Sequence, residues 1–510
     1  MQSQNTAQLI VTKMTSCLSD SNFHFFLFSF AIMLFATHSS PLYTFNQWND
    51  INIHYTIGKG LFNGYVHMVD LIDNKGPVIH FLYGLAWLID KTGHTGVYVL
   101  LSIFLAVSMI YVNKLAHLFI KRNDICFFVA ILSSVPLLIF RRSAFLNSGG
   151  SIEEFTLSIF TVSLYYFTLY FMKPDFYRHR NVFLLGILFA AVFMMKFNLA
   201  TFFLGFLLVI FCKLLIENQF AALLRYTLYF LGGTLTIIFP YFIYTLANNS
   251  LKAFIHTYFL LSSNYLVEGM SIGMNFATTF SNANLSLLHL GFVFIALAGI
   301  LFSFRYTNAW FAFSYSLSMI LLFFFIYLGD VYTYTHIPLF VFLLMLIIMM
   351  GMYFEKMIVP RKEAGRIVQF AAVCIIFVAI VWMNGLEKSS MFLHRTTPVQ
   401  IQMAEIINSL AKDGSPTLLQ AFGMDYGFYT ATGIIPDEPY FSDLNISDEI
   451  LPEMRISKQI AVREGKYEFV ILPTPTDSYP DEDYWSLDHY EHVVALLDDE
   501  GTLWHLFKHL

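Results

Sequence analysis

The chain has 510 residues, of which 57% are hydrophobic and 13% charged, and 56 are Phe. About a quarter of a soluble domain is charged, so this composition excludes a soluble globular protein. The net charge of −6 comes without any Lys/Arg-rich block, which excludes a nucleic-acid-binding surface. The four cysteines, Cys17, Cys126, Cys212 and Cys374, lie in or beside apolar segments, so no disulfide holds the polar C-terminal tail.

Apolar runs of roughly 17–25 residues cross a bilayer as helices, because a spanning segment must satisfy its own backbone hydrogen bonds. The first run, 22–38, follows a mostly polar N-terminus, lacks a small-residue cleavage site and reads as a retained span. Residues 39–76 are polar and read as a loop, followed by an apolar piece at 77–89. Further spans are expected at 95–119, 124–140, 153–172, 181–195, 199–216, 227–247, 285–304, 309–328, 337–353 and 367–384. With the N-terminus inside, the basic clusters at 121–122, 173–180, 305 and 356–366 all face the cytoplasm. This holds if 77–89 is a juxtamembrane helix on the outer surface rather than a span.

The expectation is therefore an α-helical, multi-pass cell-membrane protein with about eleven transmembrane helices. Its membrane domain covers 1–384, with outer loops at 39–94, 141–152 and 248–284, and residues 385–510 form a small extracytoplasmic α/β domain. In that tail, 398–412 and 447–464 have helical character, and 417–421 and 469–472 read as short strands.

The first outer loop is the most informative segment. It places Asp50, Asp70 and Asp73 with Lys59 and Lys75 in a stretch punctuated by Gly58, Gly60, Asn63-Gly64 and Gly76-Pro77. Water alone makes an outer loop polar, but this punctuation points to a shaped one. An early Asp after the first span, then Asn63-Gly64, then Asp73 and Lys75-Gly76-Pro77 before an apolar helix, is a pattern that resembles the GT-C membrane glycosyltransferases. The nearest likeness is to bacterial family 39, with its protein mannosyltransferase-like and aminoarabinose transferase-like members. Together with the span layout and the tail, the resemblance covers nearly the whole chain.

The resemblance implies a GT-C fold and transfer of a sugar from a polyprenyl-phosphate donor to a glycan, lipid or protein acceptor outside the cytoplasmic membrane. It implies that a helix ends at Asn63-Gly64 and that Asp50 is the catalytic base. Such a reaction needs a carboxylate to take the hydroxyl proton and cations or donors to stabilise the leaving phosphate. Lys75 suits the phosphate, with Asp73 orienting it or holding a divalent metal ion. The acidic residues suit such an ion or none.

Other candidates fall at outer ends of spans. Arg141 and Arg142 run against the positive-inside bias, and either recognise phosphate or sugar or anchor at lipid headgroups. Glu153 and Glu154 open a span, where helix-dipole complementarity alone favours acids. The resemblance adds a site role, for Glu154 before Glu153. Lys196 and Asn198 end another span, where a Lys can simply snorkel, and the resemblance again favours phosphate contact. His336 follows Tyr332 and Tyr334, either as part of an interfacial aromatic belt or as a site residue. The length and placement of 248–284, with Tyr258, Tyr265 and Glu268, read as a cover for a lipid groove. A transporter or flippase of lipid-linked sugars would place ionisable groups at the bilayer midplane and show repeated halves. Here the charges cluster in loops, which favours surface chemistry. A polysaccharide polymerase would need a large Arg-rich outer loop, and Arg141-Arg142 alone does not make one.

Overall fold

The computed structural model describes residues 21–136, 149–262, 283–326, 332–357, 373–379, 397–411, 414–475, 480, 485–499 and 501–510. Arg141, Arg142, Tyr265 and Glu268 lie outside the described residues, as do most of the expected span 367–384 and the end of 124–140.

Among the described residues, the α-helices of ten or more residues that precede the tail are α1 (Ser21–Ala36), α2 (Asn49–Phe62), α3 (Pro77–Ile89), α4 (Thr95–Ala116), α5 (Asn123–Leu132), α6 (Ile152–Met172), α7 (His179–Phe193), α8 (Thr201–Ile216), α9 (Phe220–Ala247), α10 (Ala283–Tyr306), α11 (Ala309–Ile326) and α12 (Leu343–Met357). A 3₁₀ stretch, Thr333–Phe342, leads into α12 and contains Pro338, which denies the chain a regular α-helical start there. Among the described residues, six helices are long and apolar enough to cross a membrane, and six more apolar helices are shorter. The protein is a polytopic, mostly helical membrane protein with a small C-terminal sheet. Helix α9 shows the lipid-facing pattern most plainly. Leu224, Leu228, Leu231 and Leu235 are exposed along it, while Gly233 and Thr234 are buried against α7. At that contact a Cβ on Gly186 or Gly233 would overlap the partner's backbone, so small residues let the two helices meet.

Residues 39–76 are not simply a loop. They contain α2, in which ten consecutive residues, Ile51 to Gly60, are buried. Its polar side chains hide the helix from a hydropathy reading. Ile53 and Ile57 pack into the core of the tail, and the opposite face packs on α3. The helix stops at Asn63, and Gly64 takes a left-handed φ of 92°, the conformation that releases a chain from a helix end. Helix α3 has 13 residues and is about 20 Å long, too short for a hydrocarbon core of about 30 Å. It buries Ile79, Tyr83 and Ala86 and exposes Phe81, Leu88 and Ile89.

The tail comprises α13 (Val399–Leu410), β1 (Leu418–Gln420), α14 (Phe428–Thr432), α15 (Glu453–Arg463), β2 (Phe469–Pro475), β3 (Tyr490–Leu497) and β4 (Thr502–His509). The sheet order is β1-β2-β4-β3, with β1 parallel to β2 and the other pairs antiparallel. Side chains alternate across β2. Phe469 and Ile471 join the core shared with α13 and α2, whereas Val470 and Leu472 join a second core with Ala461 and Val462 of α15. Burial on both faces explains the continuous apolar run of β2. The β3–β4 hairpin was not anticipated from the sequence, because its His, Lys and Glu residues dilute the strand pattern.

Candidate active site

Helix α2, the 73–77 turn, the start of α6, the link after α7, the Tyr332–Thr335 segment and the tail converge on one cavity of about 110 Å³. Asp50, Asp73, Lys75, Glu153, Lys196 and Asn198 line it together with His54, Tyr258, Tyr332 and Tyr334. Six of the residues singled out from the sequence therefore meet in one place.

Local structure explains the convergence. Asn52 fixes the start of α2 by donating to the carbonyls of Asn46 at 3.0 Å and Trp48 at 2.9 Å, which sets Asp50 in the first turn. Backbone bonds from Gly76 N to Met195 O (3.0 Å) and Val78 N to Met194 O (3.1 Å) pin the 73–77 turn to the end of α7. Gly76 has no room for a Cβ against Met194. This join brings the elements carrying Lys75 and Lys196 together. The Ser151 side chain caps α6 by accepting from Glu154 N. Glu153 then points into the cavity and forms an ion pair with Lys196 at 2.7 Å. Glu154 instead accepts from Gly150 N at 2.8 Å and does not line the cavity. His336 is buried on the 3₁₀ stretch and likewise does not line it, while Tyr332, Tyr334 and Thr335 do.

The two acids that line the cavity from this loop differ electrostatically. Asp50 is half-buried and receives a hydrogen bond from the Tyr334 hydroxyl at 3.2 Å. Burial raises its pKa above the ordinary carboxylate value, with Lys75 opposing and Glu153 and Asp73 reinforcing the rise. Burial pushes Asp73 the same way, but the hydrogen bond from His80 and the charge of Lys75 outweigh it, and its carboxyl titrates below the ordinary value. Burial thus makes Asp50 the more basic of the two carboxylates, and the contacts of Asp73 favour its anion.

The sequence of this chain matches no known family profile and no curated protein. Its structure matches that of ArnT from Cupriavidus metallidurans bound to undecaprenyl phosphate, with a TM-score of 0.60 at 11% identity, over 94% of this chain and 97% of that one. Against the apo state of the same protein the TM-score is 0.58, also at 11% identity. The chain has the GT-C fold.

Within this GT-C fold, sequence reasoning missed a histidine cluster and the contribution of the tail. Asp73 Oδ2 accepts from His80 Nε2 at 3.1 Å and lies 3.7 Å from His54 Nδ1. His80 Nδ1 lies 2.7 Å from His67 Nε2, whose Nδ1 lies 2.7 Å from the Tyr241 hydroxyl. One ligand atom each from His54, Asp73 and His80 falls within 4.8 Å of the others, and all three residues are buried. Two imidazoles and a carboxylate suit Zn²⁺ better than Mg²⁺. His67 would act as the outer partner that orients His80. Burial and the neighbouring His80 lower the His54 pKa to about 3, which keeps the ring neutral, with one of its two nitrogens unprotonated. The spacing of His54 and His80, on different helices, gives no local metal motif in sequence. The tail supplies Met424, Asp443, Leu444 and Asn445 to the cavity wall from about 370 residues away.

Proposed function

We propose that this protein is a membrane glycosyltransferase that moves a sugar from a polyprenyl-phosphate donor to an acceptor outside the cytoplasmic membrane. The observation that carries the reading is the meeting, in one cavity, of a half-buried carboxylate of raised pKa with two lysines. It occurs in a fold shared with a protein that was captured with undecaprenyl phosphate.

In the proposed reaction Asp50 takes the proton of an acceptor hydroxyl as its oxygen bonds to the anomeric carbon of the donor sugar. The bond from that carbon to the phosphate oxygen breaks, and the polyprenyl phosphate leaves with the electron pair. A base acts best when its pKa lies near the working pH, and burial moves Asp50 in that direction. Lys75 and Lys196 face the leaving phosphate, with Arg141 and Arg142 as further candidates. Glu153 holds Lys196 in place, Asn198 binds substrate beside it, and Asp73 fixes the His54–His80 pair. Glu154 and His336 act on the frame of the site rather than on the reacting atoms. The tail packs on α2 and lines the cavity, so it belongs on the same outer side as the first loop.

Surface glycans compared by mass spectrometry in cells with the gene, without it, and with Asp50→Asn test the reading. A glycan lost in the deletion should be lost equally with Asp50→Asn. An unchanged glycan profile on deletion, or full activity of Asp50→Asn, overturns it. Sidedness is tested by a thiol-reactive, impermeant reagent on Ser415→Cys, an exposed position in the tail. Labelling in intact cells is expected, and labelling only after lysis would place the tail inside.

A further inference from the structure

By the elements that supply them, the residues lining the cavity form two sets, or walls, of different chemistry. One carries Lys75, Lys196, Asn74 and Glu153 beside the apolar Phe197 and Leu199. The other carries Tyr332, Tyr334 and Asn445 with Met424 and Leu444, and no cation among the described residues that line it. We propose that this second wall is an acceptor subsite that binds an uncharged sugar ring, so that the acceptor is a glycan. The proposal rests on the glycosyltransferase reading and names its acceptor class.

The geometry is that of a flat platform. Tyr332 and Tyr334 stack with ring centroids 5.7 Å apart and planes 8° from parallel. Tyr334 is held from the side by the edge of Trp48 at 5.4 Å, and its hydroxyl bonds Asp50. Tyr332, offset along Tyr334 in this stack, is still 41% exposed. Asn445 reaches from the tail to within 3.5 Å of the Tyr332 hydroxyl and keeps its carboxamide at the rim of the exposed ring. A pyranose has an apolar face of C–H groups and a rim of hydroxyls. A flat aromatic ring covers the first, and a carboxamide, which both donates and accepts, serves the second. Because Tyr334 bonds Asp50 directly, a ring seated on Tyr332 lies one aromatic neighbour away from the proposed base.

Other acceptors fit this wall poorly. A phosphorylated or acidic one finds no cation there. The acidic Asp443 is not a free contact, since its oxygens accept from Lys458 at 2.6 Å and Gly423 N at 2.8 Å. An acyl chain needs a continuous apolar groove, and the tail offers Met424 and Leu444. A peptide that adds to a sheet needs an open strand edge, and neither edge strand, β1 or β3, lines the cavity.

The test is photocrosslinking in intact cells with the full-length protein. Tyr332→p-benzoylphenylalanine keeps an aromatic ring at the platform, and after irradiation the peptide containing position 332 is analysed by mass spectrometry. Phe197→p-benzoylphenylalanine reports on the donor side in parallel. The expected result is a series of hexose or pentose masses at 332 and a polyprenyl phosphate at 197. Adding Asn445→Ala to the 332 crosslinker should lower the glycan adduct by up to about tenfold, the most that one lost hydrogen bond gives. A lipid or peptide at 332, or no adduct there while 197 captures the lipid, overturns the glycan subsite and leaves the donor reading standing. A glycan at 332 with no lipid at 197 does the reverse, and no adduct at either position overturns both.

Discussion

The α2–α3 pair and the C-terminal domain both bury ionisable side chains, but they use them differently. In the tail, Lys458 pairs with Asp443, Glu438 accepts from Ser457 at 2.6 Å, and Asp425 accepts from Gly427 N and from Thr56 of α2 at 2.8 Å each. These contacts close the fold on itself. In the loop, Asp50 has a hydrogen bond from Tyr334 and no ion pair among the described residues, and His54 Nδ1 has no hydrogen-bond partner among them. A buried polar group left under-satisfied costs stability, so its retention at a cavity points to work on a ligand. The contrast separates charges that hold the protein together from charges available for chemistry, and substitutions on either side can break it.

The largest effect is expected at Asp50. Asp50→Asn keeps the shape and removes the proton acceptor, and general base catalysis is worth roughly 100- to 10,000-fold. Turnover should fall by that order with the protein still folded in the membrane. Asp73→Asn is the comparison. An inactive Asp73→Asn beside a near-normal Asp50→Asn would transfer the base role to Asp73. Because burial raises the Asp50 pKa, the rate in the wild type should climb with pH above the ordinary carboxylate range. A pH profile already flat there would contradict an Asp50 base. On the tail side the expected loss is of stability. Asp443→Asn leaves Lys458, whose side chain is fully buried, without its counter-charge, and breaking such a pair costs about 3–5 kcal/mol. Limited proteolysis should cut the tail of Asp443→Asn much faster than that of the wild type. Equal resistance would show that the pair is not structural.

How far the sequence discloses each region follows from range. The multi-pass helical character was legible because hydropathy is a local property. Asp50, Asp73, Lys75, Glu153, Lys196 and Asn198 could be singled out because each sits near a punctuated helix end. Helix α2 was hidden, since it is buried by α3 and by tail residues such as Phe428 and Trp504 rather than by its own apolar stripe. The resemblance, not the periodicity, pointed to its end at Asn63-Gly64. His54, His67 and His80 become a cluster only when α2 folds against α3, and Asn445 meets Tyr332 only through tertiary packing. The choice between Glu153 and Glu154 depends on which side chain turns back to Gly150, a rotamer question that spacing does not answer.

Asp425 sharpens the comparison through pH. It lies in the tail but bonds α2, and burial pushes its pKa up to about 6, against the opposing bonds from Gly427 N and Thr56. A carboxyl whose folded pKa is raised binds more protons folded than unfolded. Stability is therefore highest below the unfolded value of about 3.9 and falls as pH rises towards 6. The rise corresponds to about 3 kcal/mol lost across that window. Thermal unfolding of purified protein should show this decline between pH 4 and 6, and Asp425→Asn should flatten it. A decline that persists in Asp425→Asn would assign it to another group.

The smallest expected effect tests whether α2 and α3 form a rigid unit. A Cβ at Gly58 would overlap the backbone of Gly84, and one at Gly84 would overlap the Phe62 ring. Gly58 meets only backbone, which cannot swing aside, whereas at Gly84 the closest atoms belong to a side chain, which can, with the Gly58 carbonyl oxygen behind it at 2.9 Å. Gly58→Ala should therefore cost more than Gly84→Ala, within the roughly 1–3 kcal/mol typical of overpacking. Alanine otherwise favours a helix by about 1 kcal/mol over glycine, so a net loss at Gly58 reports the close contact and not helix propensity. The two changes address one interface, and their effects should not add. Helix α2 also carries Asp50 and His54, so parting it from α3 moves the proposed base relative to Lys75, which follows α2 and precedes α3. Transfer activity should then fall in Gly58→Ala by more than its loss of folded protein explains. If Gly58→Ala loses stability and activity in the same proportion, the helix pair is a structural support like the tail, and the distinction between the two regions fails at this point.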